Sequence, residues 1–117
     1  MAFKFEKLKV WQKAIDLNDM VFQFSSKFPQ EEKFNLTSQI RRPSDSVALN
    51  IAEGSTSQSN AEFSRFLGYA IRSIVEVVCA LFIAKRRSYL SDDQFQEAYS
   101  KSEELVKMIQ TLKQRLK

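Results

Sequence analysis

Residues 40–78 read IRRPSDSVALNIAEGSTSQSNAEFSRFLGYAIRSIVEVV, and this stretch decides the fold. Its second half is apolar over most of a helical surface. Phe63, Leu67, Ala70, Ile74, Val77, Leu81 and Ala84 keep an unbroken 4,3 alternation, the period of a helix face turned to a core. Ile71, Val75, Val78 and Phe82 add a neighbouring stripe, and the polar line is Glu62, Arg65, Tyr69, Arg72 and Glu76. Ser59 and Glu62 have capping-box spacing, which starts this helix near Asn60 and carries it to about Arg87. Before it, Leu36, Ile40, Val47 and Ile51 mark a helix ending at Glu53, and Gly54 fits the left-handed position that stops helices. Pro43 lies inside that helix, where it removes one hydrogen bond and crowds the carbonyl of Gln39, so a kink or short break is expected. Ser55 to Gln58 form a polar turn, and the two helices make a hairpin.

Helices flank the hairpin on both sides. The first is expected from about Glu6 to Lys27 and carries two stripes. Leu8, Trp11, Ile15 and Phe22 form one, interrupted by Asn18; Val10, Ala14, Leu17, Val21, Phe24 and Phe28 form the other. One stripe closes a small bundle, so the second stripe is assigned to a subunit interface. Phe28-Pro29 ends the helix, and Glu31 and Glu32 suit the first turn of the next. Ser91 and Gln94 form another capping box, and Phe95, Ala98, Ser102, Leu105, Ile109, Leu112 and Leu116 give the last helix a heptad stripe. Two glycines and two prolines in 117 residues leave room for few turns. The fold class is therefore all-α: an antiparallel up-down-up-down four-helix bundle, with residues 1–117 as one domain.

Composition excludes more than it assigns. The chain has no histidine, so Ser-His-Asp and Cys-His nucleophiles, histidine zinc ligands and the Glu-x-x-His di-iron pattern cannot be built from it. It has no glycine-rich phosphate loop. Neither a cofactor nor a metal is expected, and the chain reads as a non-enzyme. The single cysteine, Cys79, sits in an apolar run and is expected as a buried core residue in a reducing, cytoplasmic setting. No leader is apparent, and the run from Arg72 to Lys85 is interrupted by Glu76, which argues against a membrane span. The net charge of +4 permits a polyanionic partner without requiring one.

If the hairpin folds back around Ser57, Arg42 falls level with Arg72 and Ser46 with Gly68. Arg41, Arg42 and Arg72, with Lys107 at a similar height on the last helix, then form a candidate anion-binding patch, because guanidinium groups grip phosphate oxygens in a forked geometry. The competing reading has Asp45 and Glu76 neutralising the arginines within a structural network. Asn50, Glu53, Gly54 and Arg65 form a structural motif about the turn. Glu53 stands at the negative end of a helix dipole and calls for a partner, Arg65 across the turn or a residue of another subunit. Lys107, Lys113, Arg115 and Lys117 make the end of the last helix basic.

These residues resemble a known family. Gln39 to Arg42, then Ser46-Val47, Asn50 to Gly54 and Glu62 to Leu67, with Leu8 to Ala14 near the start, are similar to the bacterial four-helix bundle family of 23S rRNA intervening-sequence proteins. That family also includes the accessory variability determinant of diversity-generating retroelements. The chain departs from it at Ala48, where relatives often carry proline. The resemblance implies a bundle that assembles as a ring, typically a homopentamer. In the retroelement branch it also implies a basic surface for RNA or DNA and service to a reverse transcriptase. The expected function is a non-enzymatic, oligomeric nucleic-acid-binding or accessory protein; the alternative is a protein–protein scaffold whose charge is incidental.

Overall fold

A computed structural model describes residues 2–117. A 3-10 turn at Lys4–Lys7 leads into helix α1 (Lys9–Ser25), and a second 3-10 turn at Gln30–Glu32 leads into α2 (Leu36–Gly54). Helices α3 (Asn60–Arg86) and α4 (Asp92–Arg115) follow. Neighbours in sequence pack against one another, α4 closes back on α1, and the α2–α3 contact is the most extensive. The result is an up-down-up-down bundle measuring 43 × 22 × 22 Å. Helix α3 alone, at about 1.5 Å per residue, runs nearly its full length.

The 4,3 stripe of α3 is the spine of the core. Leu67, Ala70, Val77, Leu81 and Ala84 are fully buried, with Phe63 and Ile74 nearly so. Leu36, Ile40, Val47 and Ile51 of α2 and Phe95, Ala98, Leu105 and Ile109 of α4 meet them. By length and composition α3 is apolar enough to cross a membrane; in this structure its buried face packs against α2 and α4.

On α1 the two stripes exchange roles. Val10, Ala14, Leu17, Val21, Phe24 and Phe28, assigned above to a subunit interface, are the buried face of the monomer. Leu8, Trp11 and Ile15 only flank the core, and Phe22 is 58% exposed. The interrupting Asn18 explains the outcome. Its side-chain amide donates to Ser44 Oγ (3.1 Å) and Asp45 Oδ1 (2.7 Å), so that stripe lies at the α1–α2 edge, where a polar group finds partners.

The helix ends also differ from expectation. α1 starts at Lys9 rather than Glu6, because Lys4–Lys7 form a tighter turn. Pro43 causes no break, since α2 is continuous through it. Gly54 is not left-handed: no glycine has a positive φ, and α2 includes Gly54. Its lack of a side chain serves close packing instead, since a Cβ there would lie 2.7 Å from Phe66 Cβ and 3.0 Å from Phe63 Cδ1. The left-handed terminator belongs to α3. Ser88 (φ 63°) sends its N–H to the Lys85 carbonyl, and Tyr89 sends its N–H to Ala84, the double bond of a Schellman end. The α4 capping box forms in full (Gln94 N–H to Ser91 Oγ 3.1 Å, Ser91 N–H to Gln94 Oε1 2.9 Å). At α3 only half forms: Ser59 caps the Glu62 N–H, and the Glu62 carboxylate turns to Arg65 instead.

Cys79 is exposed, not buried. It stands two residues from both Val77 and Leu81, and two residues on a helix is a rotation of about 200°, away from the core.

Candidate nucleic-acid interface

The hairpin register decides where the arginines lie. Ser73 Oγ donates to Ser46 Oγ at 3.1 Å, so Ser46 faces Ser73 rather than Gly68. The first turn of α3 overhangs the end of α2, because Ser59 is an extended cap that carries the chain below Gly54 before α3 begins. Equal residue counts on either side of the turn therefore do not sit at equal heights. The offset is about five residues, or roughly 7 Å along the axis. Arg42 accordingly lines a recess with Glu76, Cys79 and Ile83, one to two turns from Arg72. Gly68 faces α4, where a Cβ would approach Lys113 Nζ to 3.3 Å.

Arg41 is taken up by the end of α1. Its Nε donates to Ser25 Oγ (2.8 Å), and its Nη2 donates to Ser26 Oγ (2.9 Å) and the Phe22 carbonyl (3.3 Å). The guanidinium lies over the Phe22 ring, 4.3 Å from its centroid. A cation at the carbonyl end of a helix is well placed against the dipole. Arg72 is exposed on the outer face of α3. The predicted patch is thus dispersed, and Asp45 and Glu76 neutralise none of it: no ion pair among the described residues involves them or Arg41, Arg42 and Arg72.

The structural motif is rearranged as well. The Asn50 amide donates to Ser46 Oγ and the Ser46 carbonyl, both at 2.9 Å, and so joins the Ser46–Ser73 seam that holds α2 to α3. Arg65 pairs weakly with Glu62 (3.9 Å), not with Glu53. Glu53 is exposed and pairs with no cation among the described residues.

Cations do converge elsewhere. In an up-down bundle the start of α1 and the end of α4 share one end of the molecule. Lys7 and Lys9 from the first, and Lys107 and Arg115 from the second, edge a groove of about 710 Å³ whose floor includes Leu8, Met108 and Leu112. None of the four cations is in an ion pair among the described residues. Of the two acids on the rim, Glu104 is engaged by Lys13 at 3.6 Å. Of the four, Lys107 belongs to the expected patch and Arg115 to the basic end of the last helix. Lys7 and Lys9 were legible only by pairing the chain's first turn with its last, which bundle topology requires.

A second polar cluster, at the opposite end, was not anticipated. Glu32 is buried and accepts four hydrogen bonds: Tyr89 Oη (2.8 Å), Arg87 Nη1 (3.0 Å), Asn35 Nδ2 (2.9 Å) and the Leu36 N–H (3.4 Å). The Tyr89 hydroxyl is the chief reason its carboxyl is held below the ordinary range. Burial opposes the effect, and Asn35, Leu36 and Arg87 add to it. The same bond pushes the Tyr89 hydroxyl up. The Schellman end at Ser88 aims Tyr89 across at Glu32, so the cluster ties the α1–α2 connection to the α3–α4 connection. With every carboxylate contact satisfied, it is a clasp rather than a reactive centre. Among the described residues no group of three His, Cys, Asp or Glu side chains could hold a metal ion.

Comparison with known proteins gives the chain its relatives. No curated protein matches it. Among solved structures it is similar to the crystal structure of a protein of unknown function from the S23 ribosomal protein family of Bacteroides thetaiotaomicron VPI-5482. The two share 25% identity and a TM-score of 0.82, over 89% of this chain and 97% of that one. The 23S rRNA-intervening sequence protein family matches residues 6–111, from the opening 3-10 turn through most of α4. A match of that extent, on the same four helices, means that this chain belongs to the 23S rRNA-intervening sequence protein family.

Proposed function

We propose that this chain is a non-enzymatic RNA-binding protein acting as a homo-oligomer, and that the groove edged by Lys7, Lys9, Lys107 and Arg115 takes the phosphate backbone. What carries the reading is that these four cations, drawn from both termini of the bundle, line one groove without carboxylate partners. Recognition of this kind rests on phosphate contacts and shape, with little reading of base edges. The oligomer fits the apolar strip between α3 and α4, where Val75 is 60% and Phe82 53% exposed beside Val78, Tyr99 and Val106.

Fluorescence anisotropy of a structured ribosomal RNA fragment, titrated at several salt concentrations, tests the reading. Saturable binding should weaken steeply with salt, each phosphate contact adding roughly 0.7–0.9 to the slope of log K against log salt. Lys7→Glu, Lys107→Glu and Arg115→Glu together should lower that slope by about two to three and weaken binding, while Arg72→Glu should do neither. A triple variant that remains folded and binds as before would refute the assignment.

A further inference from the structure

The outer face of α2 carries exposed apolar side chains that neither the core nor the basic groove uses. Phe34 is 90% exposed just before α2 begins, and Leu49 is 66% exposed about three and a half turns along it. Between them lies an open groove of about 610 Å³ edged by Lys33, Arg41 and Arg42, with the small Ser38 and Ser46 in its floor. Its one acid, Asp45, already accepts the Asn18 amide at 2.7 Å. Arg42 is in no ion pair among the described residues, although Glu76 lines the recess on its other side.

From this arrangement we infer that the α2 face is a docking site for an acidic amphipathic helix of a partner protein. Apolar anchors at both ends require apolar side chains about 14 residues apart on an opposing helix, a span of roughly 20 Å. With Arg41 held by α1, Arg42 between the anchors and Lys33 beside Phe34 are the cations that require carboxylates on the facing helix. The small floor residues let the two helices approach closely. RNA suits this face less well, because only one of its two anchors is a ring, and Lys33 Nζ already lies over that ring, 5.4 Å from the Phe34 centroid. A second copy suits it less well too. The other exposed apolar strip of this chain carries Lys107 beside Glu103 on α4, with Arg72 and Glu76 flanking it on α3, so it presents no net negative charge to these cations.

A displayed library of helical peptides, with apolar anchors fixed and acidic or basic residues free between them, tests the inference on the full chain. Selection should enrich Asp and Glu at the intervening positions. The enriched peptides should bind at least tenfold more weakly to Arg42→Glu and to Leu49→Glu, and unchanged to Lys7→Glu/Lys107→Glu. Both substituted side chains are exposed, so the variants should fold, which circular dichroism verifies; Phe34→Ser is an independent third variant. Three results would overturn the inference: no acidic enrichment; displacement of the peptides by RNA, which would give the face to nucleic acid; or an altered sedimentation coefficient for Leu49→Glu alone, which would give it to a second copy.

Discussion

Replacing Gly54 by alanine should destabilise this bundle, although alanine is the better helix former. A Cβ at position 54 would stand 2.7 Å from Phe66 Cβ and 3.0 Å from Phe63 Cδ1. The nearer atom is fixed to the α3 backbone and cannot rotate away, so α2 and α3 must separate along their most extensive contact. Such overpacking costs about 1–3 kcal/mol. Against it stands the gain of alanine over glycine, about 1 kcal/mol in a helix interior and less at the last residue of a helix. A net loss of roughly 1–2 kcal/mol follows, lowering Tm by about 4–8 °C for a domain of this size. Gly68→Ala is the control. Its Cβ would meet only Lys113 Nζ, at 3.3 Å, the free end of a flexible chain. It should therefore stabilise, by up to about 1 kcal/mol. Thermal and urea denaturation at one fixed protein concentration, followed by circular dichroism, would measure both. If Gly54→Ala proved as stable as Gly68→Ala, the close-approach argument would be wrong.

Two further predictions concern the end of the bundle that holds the clasp. Ser88 adopts φ 63°, a conformation that costs a residue with a Cβ about 1–2 kcal/mol; Ser88→Gly should therefore raise stability by about 0.5–1 kcal/mol once the larger entropy of the unfolded glycine is set against the relief, as read by urea denaturation. Because the Glu32 carboxyl is depressed, its contribution to stability is complete above the ordinary carboxylate pKa and is lost as pH falls through the depressed value. Because Tyr89 is raised, its contribution holds below the ordinary tyrosine pKa and is lost as pH rises through the raised value. Tyr89→Phe keeps the ring against Phe28 and removes the bond, so it should flatten both limbs of a stability–pH profile; unchanged limbs would show that the clasp does not set them.

The fold was legible because local signals agreed. The 4,3 stripe of α3, the Ser91 box and the scarcity of turn residues each point to helices whose apolar faces must meet. The family was legible for a related reason: apart from Leu8 to Ala14 at the start of α1, its motifs lie on α2 and α3, whose mutual packing constrains residue identity. What the sequence left open depends on the third dimension. Two helical stripes on α1 look alike in a string of letters; only the partners of Asn18 decide which is core. A glycine after a helix reads as a left-handed stop, yet Gly54 is required by the Cβ of Phe66, twelve residues on. The arginine patch depended on hairpin register, and an overhang of about one and a half turns dispersed it. The basic groove is lined by both Lys7 and Arg115, residues at opposite ends of the chain. Helical periodicity is a property of neighbours along the chain and can be read there; the meeting of side chains from different helices is set by register and packing, which exist only once the bundle has closed.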